Sequence, residues 1–189
     1  MDNTLGKDAE QRGQGLCQRC GMCCDGTLFG GIPIKKGESL EEFQAAGYST
    51  FWQEEKEIHA LVQPCSQYRD CKCQAYADRP RACRYFECQL YARVVGGEME
   101  LEPAVEIVER ARDQQALLKK LIAEHLPDLS ELSLREALKR IDEMLEATGD
   151  ELVEFQKRHG RLLVRALAYR QFRRKHFRRY RPPEPRGEN

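Results

Sequence analysis

Residues 17–24 read CQRCGMCC, which places four cysteines in eight positions as Cys17-x2-Cys20-x2-Cys23-Cys24. A two-residue gap lets the chain turn tightly enough for two thiolates to face one metal. Gly21 between them gives the backbone room for its N–H groups to approach the sulfurs. Three thiolates at successive two-residue gaps are also what ferredoxin-type loops offer an iron–sulfur cluster, with a fourth thiolate from elsewhere. Cys23 and Cys24 point apart if the chain is extended there, so the pair is placed to serve different sites.

Working outward, Cys65, Cys71, Cys73, Cys83 and Cys88 follow at irregular gaps, and residues 89–189 contain no cysteine. Eight ligands make two four-thiolate sites and leave one cysteine over, for which Cys71 is the choice. A strand over 71–73 faces Cys71 and Cys73 the same way, so local sequence alone does not decide between them. A disulfide framework is disfavoured, because nine is an odd number of cysteines and the polar start Met1–Glu10 lacks a secretory hydrophobic stretch. Buried cysteines acting as small hydrophobes occur singly and do not account for nine in close groups. The overlapping two-residue gaps favour iron–sulfur, and one such gap with two remote cysteines also suits zinc.

The rest of the composition is that of a soluble globular protein: 189 residues, 33% charged, 41% apolar. No apolar run is long enough for a membrane-spanning helix, and the expected location is the cytoplasm. The formal net charge of zero is a cancellation. Residues 161–189 carry 10 basic and 2 acidic side chains, net +8, which leaves net −8 on residues 1–160.

Residues 1–15 read as a flexible N-terminus. Residues 27–34 read as a strand broken by Gly30-Gly31 and Pro33. Ser39-Leu40-Glu41-Glu42 is a capping box opening a short helix that Gly47 closes. Residues 58–62 and 71–76 are expected to pair as a hairpin. After Arg79-Pro80 a helix is expected through Val95, stopped by Gly96-Gly97. Pro103 begins a helix with apolar Ala104, Val108, Ala111, Leu118 and Leu121 on one face. Ser133-Leu134-Arg135-Glu136 is a second capping box, followed by the stripe Leu134, Leu138, Ile141 and Leu145. Gly149 ends that helix, and Asp150 is expected to cap a third running through Leu152, Phe155, Leu162, Leu163 and Leu167 toward Phe172.

The predicted fold is α+β: a small cysteine-rich metal-binding domain of short strands and helices over 16–102, then an α-helical hairpin or bundle over 103–179. A flexible basic tail, 180–189, completes the chain.

At these residues the sequence resembles the YkgJ-like CxxCxxCC cysteine-cluster family, known as zinc- or iron-chelating domains. CQRCGMCCDG at Cys17–Gly26 is similar to the family's CxxCGxCC opening. CQAYADRPRACRYFEC at Cys73–Cys88 is similar to its C-x2-Y-x2-R-P-x2-C-R-x-F-x-C, with Tyr76, Arg79, Pro80, Cys83, Arg84 and Phe86 in place, and Pro64-Cys65 looks like the remaining ligand. The resemblance covers Cys17 to the helix after Pro103. It implies eight ligands, Cys17, Cys20, Cys23, Cys24, Cys65, Cys73, Cys83 and Cys88, holding zinc or an iron–sulfur cluster in two centres, and it leaves Cys71 outside the pattern. The flagellin lysine methylases form a similar branch with much longer chains, and nothing in this sequence reads as a fold for a methyl donor.

Beside the thiolates, Tyr76, Arg79 and Arg84 are expected to support the sites, the two arginines by offsetting thiolate charge. His59, His125, His159 and His176 lie outside the cysteine groups and read as packing or surface residues. The segment RQFRRKHFRRYR, Arg170–Arg181, interleaves cations with Phe172, Phe177 and Tyr180. Arg173, Arg174, Lys175, Arg178 and Arg179 are candidate anion-binding residues for nucleic acid or an acidic protein. An anionic membrane surface and a plain solvated helix end fit the same charge. The expected function is metal binding with a structural, redox or metal-handling role. The alternatives are an iron–sulfur-dependent protein-modifying enzyme like the lysine methylases, or an adaptor working through the basic helix.

Overall fold

Helix α1, Thr4–Cys20, carries the first two cysteines on its last turn. It belongs to a computed structural model that describes residues 4–70, 72–146 and 149–180. From Thr4 onward this helix replaces the loose terminus expected over 1–15. Its glycines weaken helix propensity, and tertiary packing overrides that loss. Gly13 lies so close to its neighbours that a Cβ there would come within 2.6 Å of both the Tyr91 ring and the Val95 side chain.

Strands β1 (Gly31–Pro33), β2 (Thr50–Gln53) and β3 (Ile58–Val62) form an antiparallel sheet in the order β1-β3-β2. Ile32 of β1 and Thr50 of β2 both stand opposite Leu61. The strand expected over 27–34 is thus shortened to three residues. The expected hairpin between 58–62 and 71–76 does not form, because both edges of β3 are already paired. Instead β4 (Tyr68–Arg69) pairs with β5 (Lys72–Cys73), setting Tyr68 opposite Cys73. Cys71 lies outside the described residues. Between β1 and β2, helix α2 (Leu40–Ala45) starts at Ser39, whose hydroxyl accepts from the Glu42 N–H at 3.1 Å.

The single helix expected over 81–95 is two: α3 (Arg81–Arg84) and α4 (Gln89–Val95). The break has a long-range cause, since residues 87–89 extend to meet residues 178–180, which follow the last helix. Gln89 N–H donates to the Arg178 carbonyl at 3.0 Å and Tyr180 N–H to the Glu87 carbonyl at 2.8 Å. Cys88 then caps α4, its Sγ accepting from the Tyr91 N–H at 3.4 Å.

The helical part follows its sequence closely. Helix α5 (Leu101–His125) takes in Pro103 within its first turn, where proline's missing N–H has no intrahelical partner to lose. Helix α6 (Leu134–Met144) has the full reciprocal capping box of Ser133 and Glu136. Helix α7 (Asp150–Phe177) is capped by Gly149, and Asp150 is its first residue rather than its cap. The carboxylate still lies in the first turn, where the helix dipole favours it.

Three apolar clusters tie these elements together. Leu118, Leu121, Leu138, Ile141, Leu162 and Ala166 are the heart of the contact among α5, α6 and α7. Leu16, Met22, Leu90, Val94, Val108 and Phe177 bind α1, α4, α5 and the end of α7, with Cys20 and Cys88 against them. Ile32, Tyr48 and Leu61 form a small third cluster beside the sheet, with Cys65 and Cys83 packed on it. Among the described residues no helix is long and apolar enough to cross a membrane.

Candidate metal centre

Gly21 ends α1 with a left-handed φ of 62°, and its N–H donates to the Cys17 carbonyl at 3.1 Å. The chain then turns at once, with the Cys24 and Asp25 N–H groups both donating to the Gly21 carbonyl at 2.8 and 3.0 Å. Cys17 and Cys20 therefore share one face of a helix end, three residues apart, and Cys23-Cys24 sit in the turn behind it rather than on an extended segment. A side chain at Gly21 is excluded twice. The backbone conformation favours glycine, and a Cβ would lie 2.0 Å from the Tyr68 hydroxyl.

Other elements bring in the remaining thiols. Cys65 follows a cis Gln63–Pro64 bond, and its N–H donates to the Cys24 carbonyl at 2.8 Å. Cys73 comes from β5, Cys83 from α3 and Cys88 from the cap of α4. All eight described cysteines line one cavity of about 110 Å³, together with Tyr48, Gln63, Tyr76, Arg79 and Arg84. None of the four histidines lines it. His59 stacks edge-on against Trp52, while His159 and His176 are buried among helix side chains.

The thiols influence one another both within and across two neighbourhoods, since Cys23 is raised by Cys83 as well as by Cys20, Cys88 and Cys17, and Cys24 by Cys23 as well as by Cys73 and Cys65. Burial pushes Cys17 and Cys20 up to about 12 and holds Cys23 well above the ordinary thiol range, and each is raised again by Cys88. Cys88, itself raised by burial, is thus the common neighbour of the other three. In the second group the Cys24 thiol shares a hydrogen bond with Cys73, which raises Cys24 and lowers Cys73 to about 6. Burial pushes Cys83 up to about 12, with Cys65 and Cys73 next in effect. The Tyr48 hydroxyl is raised first by burial and then by Cys65, Cys73, Cys83 and Cys24. The apolar packing agrees, with Cys20 and Cys88 on one cluster and Cys65 and Cys83 on another. Among the described residues, no three His, Cys, Asp or Glu side chains converge closely enough to hold an ion as they stand.

Arg79 and Arg84 both line the cysteine cavity. The Arg79 guanidinium lies 3.7 Å over the Tyr76 ring and lowers Cys17, Cys73 and Cys83 against the effect of burial. Arg84 Nε donates to the Arg79 carbonyl at 2.7 Å. Sequence reasoning missed Arg112 of α5, which reaches back to the cysteine turn. Its guanidinium donates to the Cys20 carbonyl, to the Tyr68 hydroxyl at 3.0 Å, and pairs with Asp25 at 3.4 Å. The available signal was a cation beside Ala111 on the edge of an apolar stripe, which alone does not reveal a partner 87 residues away.

Residues 16–115, more than half of the chain, match a family model named CxxCxxCC and described as "Putative zinc- or iron-chelating domain". The chain belongs to the CxxCxxCC family. No curated protein and no solved structure matches the chain. The matched span takes in all eight cavity cysteines and Arg112 and stops within α5, leaving α6 and α7 outside. The donor set fits the family description. Thiolates are soft ligands that select zinc and iron–sulfur clusters over hard cations. A cavity of about 110 Å³ has room for several water-sized bodies, at roughly 10–15 Å³ each.

Proposed function

We propose that this chain binds zinc or iron in two four-thiolate centres, the first on Cys17, Cys20, Cys23 and Cys88, the second on Cys24, Cys65, Cys73 and Cys83. The observation that carries this reading is the convergence of eight thiols from α1, the following turn, β5, α3, α4 and the loop after Pro64 on one cavity. Tyr48 and the two apolar clusters support the division. Closing each centre requires thiols to turn inward, and because burial keeps most of them protonated, metal uptake releases protons. The first centre has the two successive two-residue gaps and remote fourth thiolate that suit an iron–sulfur cluster. Bound metal supplies cross-links between the cysteine turn and the sheet side of this half, where the buried apolar cluster is only Ile32, Tyr48 and Leu61. Arg79, Arg84 and Arg112 hold the surrounding backbone and offset thiolate charge. Free thiols are kept for metal only where disulfides do not form, which points to the cytoplasm as the working compartment.

Elemental analysis and visible absorption on protein prepared without oxygen test this. Two metal centres per chain are expected, with the colour of an iron–sulfur cluster if the first centre holds one and no colour if both hold zinc. Protein that carries neither zinc nor iron overturns the proposal.

A further inference from the structure

A second cavity of about 420 Å³ opens beside the cysteine site, between β1, the α3 region and the end of α7. The basic C-terminal segment is not a free arm here. Phe177 is buried, Arg173 donates to the Thr27 carbonyl at 3.2 Å, and residues 178–180 pair with 87–89. This docking sets Arg173, Arg174, Arg178 and Arg179 across from Lys35, and no aspartate or glutamate lines the groove. None of the five cations forms an ion pair with a carboxylate among the described residues. Tyr85, 73% exposed, stands on the wall, and Phe29 and Phe86 form an edge-on pair, centroids 4.8 Å apart, on the lining.

We propose that this groove binds single-stranded nucleic acid, with Lys35, Arg174, Arg178 and Arg179 on phosphates and the Tyr85 ring stacking on a base. Guanidinium groups match phosphate oxygens in pairs, and an exposed ring among cations distinguishes a stacking platform from a site for carboxylates alone. The volume lies within the roughly 300–1,000 Å³ of ordinary ligand sites and seats one base with its sugar, while the four cations follow the phosphates of the strand to either side. The inference does not depend on the metal reading, since no groove residue named here is a thiol.

The test is fluorescence anisotropy with a labelled oligouridylate on the full chain as purified, at rising salt. Binding is expected to weaken with a log–log slope of about −3, at roughly −0.7 per neutralised phosphate. Arg174→Ala with Arg179→Ala is expected to reduce that slope by about 1.4. Tyr85→Leu weakens binding about tenfold and leaves the slope unchanged. Lys35→Ala is a second charge variant on a different element, and an unchanged far-UV circular dichroism spectrum and thermal melt show that each variant is folded. The proposal is overturned by absence of binding at low salt, by binding that these variants do not alter, or by free uridine monophosphate binding as well as the oligomer. Equal competition by polyglutamate also overturns it and makes the groove a protein-docking site.

Discussion

The two halves of the molecule are held by different means. Where α5, α6 and α7 meet, eleven buried residues form one continuous apolar cluster without a cysteine. The sheet side of the cysteine half rests on three, Ile32, Tyr48 and Leu61, with thiols filling part of the space around them. The contrast shows where apolar burial suffices and where cross-links must replace it, since small domains short of core are usually stapled by metal or disulfide.

Removing metal gives the largest separation between the halves. A chelator is expected to abolish hydrogen-exchange protection over 23–88 while α5, α6 and α7 keep most of theirs. Equal loss in both halves would erase the contrast. Gly21→Ala comes next, because it meets both a left-handed backbone and the Tyr68 hydroxyl. It should cost at least about 3 kcal/mol and lower metal content, as seen by denaturant melts and metal analysis. Ile141→Ala strikes the other half, where a cost of about 2–5 kcal/mol should leave metal content intact. Metal lost from this variant would show that the halves do not stand apart.

The smallest effect is a pH dependence of the helical half. His159 is held below its ordinary 6.5 by burial, then by His125 and Arg158. The folded state therefore binds this proton less readily than the unfolded chain. Its contribution is whole above about 6.5 and is lost as pH falls below that. Exchange protection of α7 should fall between about pH 7 and pH 5, and His159→Phe should flatten that fall.

Legibility in the sequence follows the range of the forces involved. Ser133 with Glu136 and the Leu134–Leu138–Ile141 stripe are local signals, and each appears where its pattern placed it, whereas α6 already stops at Met144 and Gly149 caps α7 instead of ending α6. The cysteine motifs were equally plain, since Cys17 to Cys24 has the CxxCxxCC spacing that names the family and both cysteine groups lie within the matched residues 16–115. What sequence did not reveal is non-local. Helix α1 depends on the close approach of Gly13 to Tyr91, and the split of 81–95 depends on Arg178–Tyr180. The pairing of β3 with β1 and β2 rather than with 71–76 is a choice between partners far apart in the chain. Arg112 shows the same limit at the site itself.

The two-centre assignment is tested most directly by counting metals in paired cysteine variants. Cys88→Ser and Cys65→Ser should each remove one centre. Cys17→Ser with Cys88→Ser should remove no more than Cys88→Ser alone, whereas Cys88→Ser with Cys65→Ser should remove both. If the Cys17 and Cys88 substitutions instead deplete different centres, or any single substitution empties both, the division proposed here is contradicted.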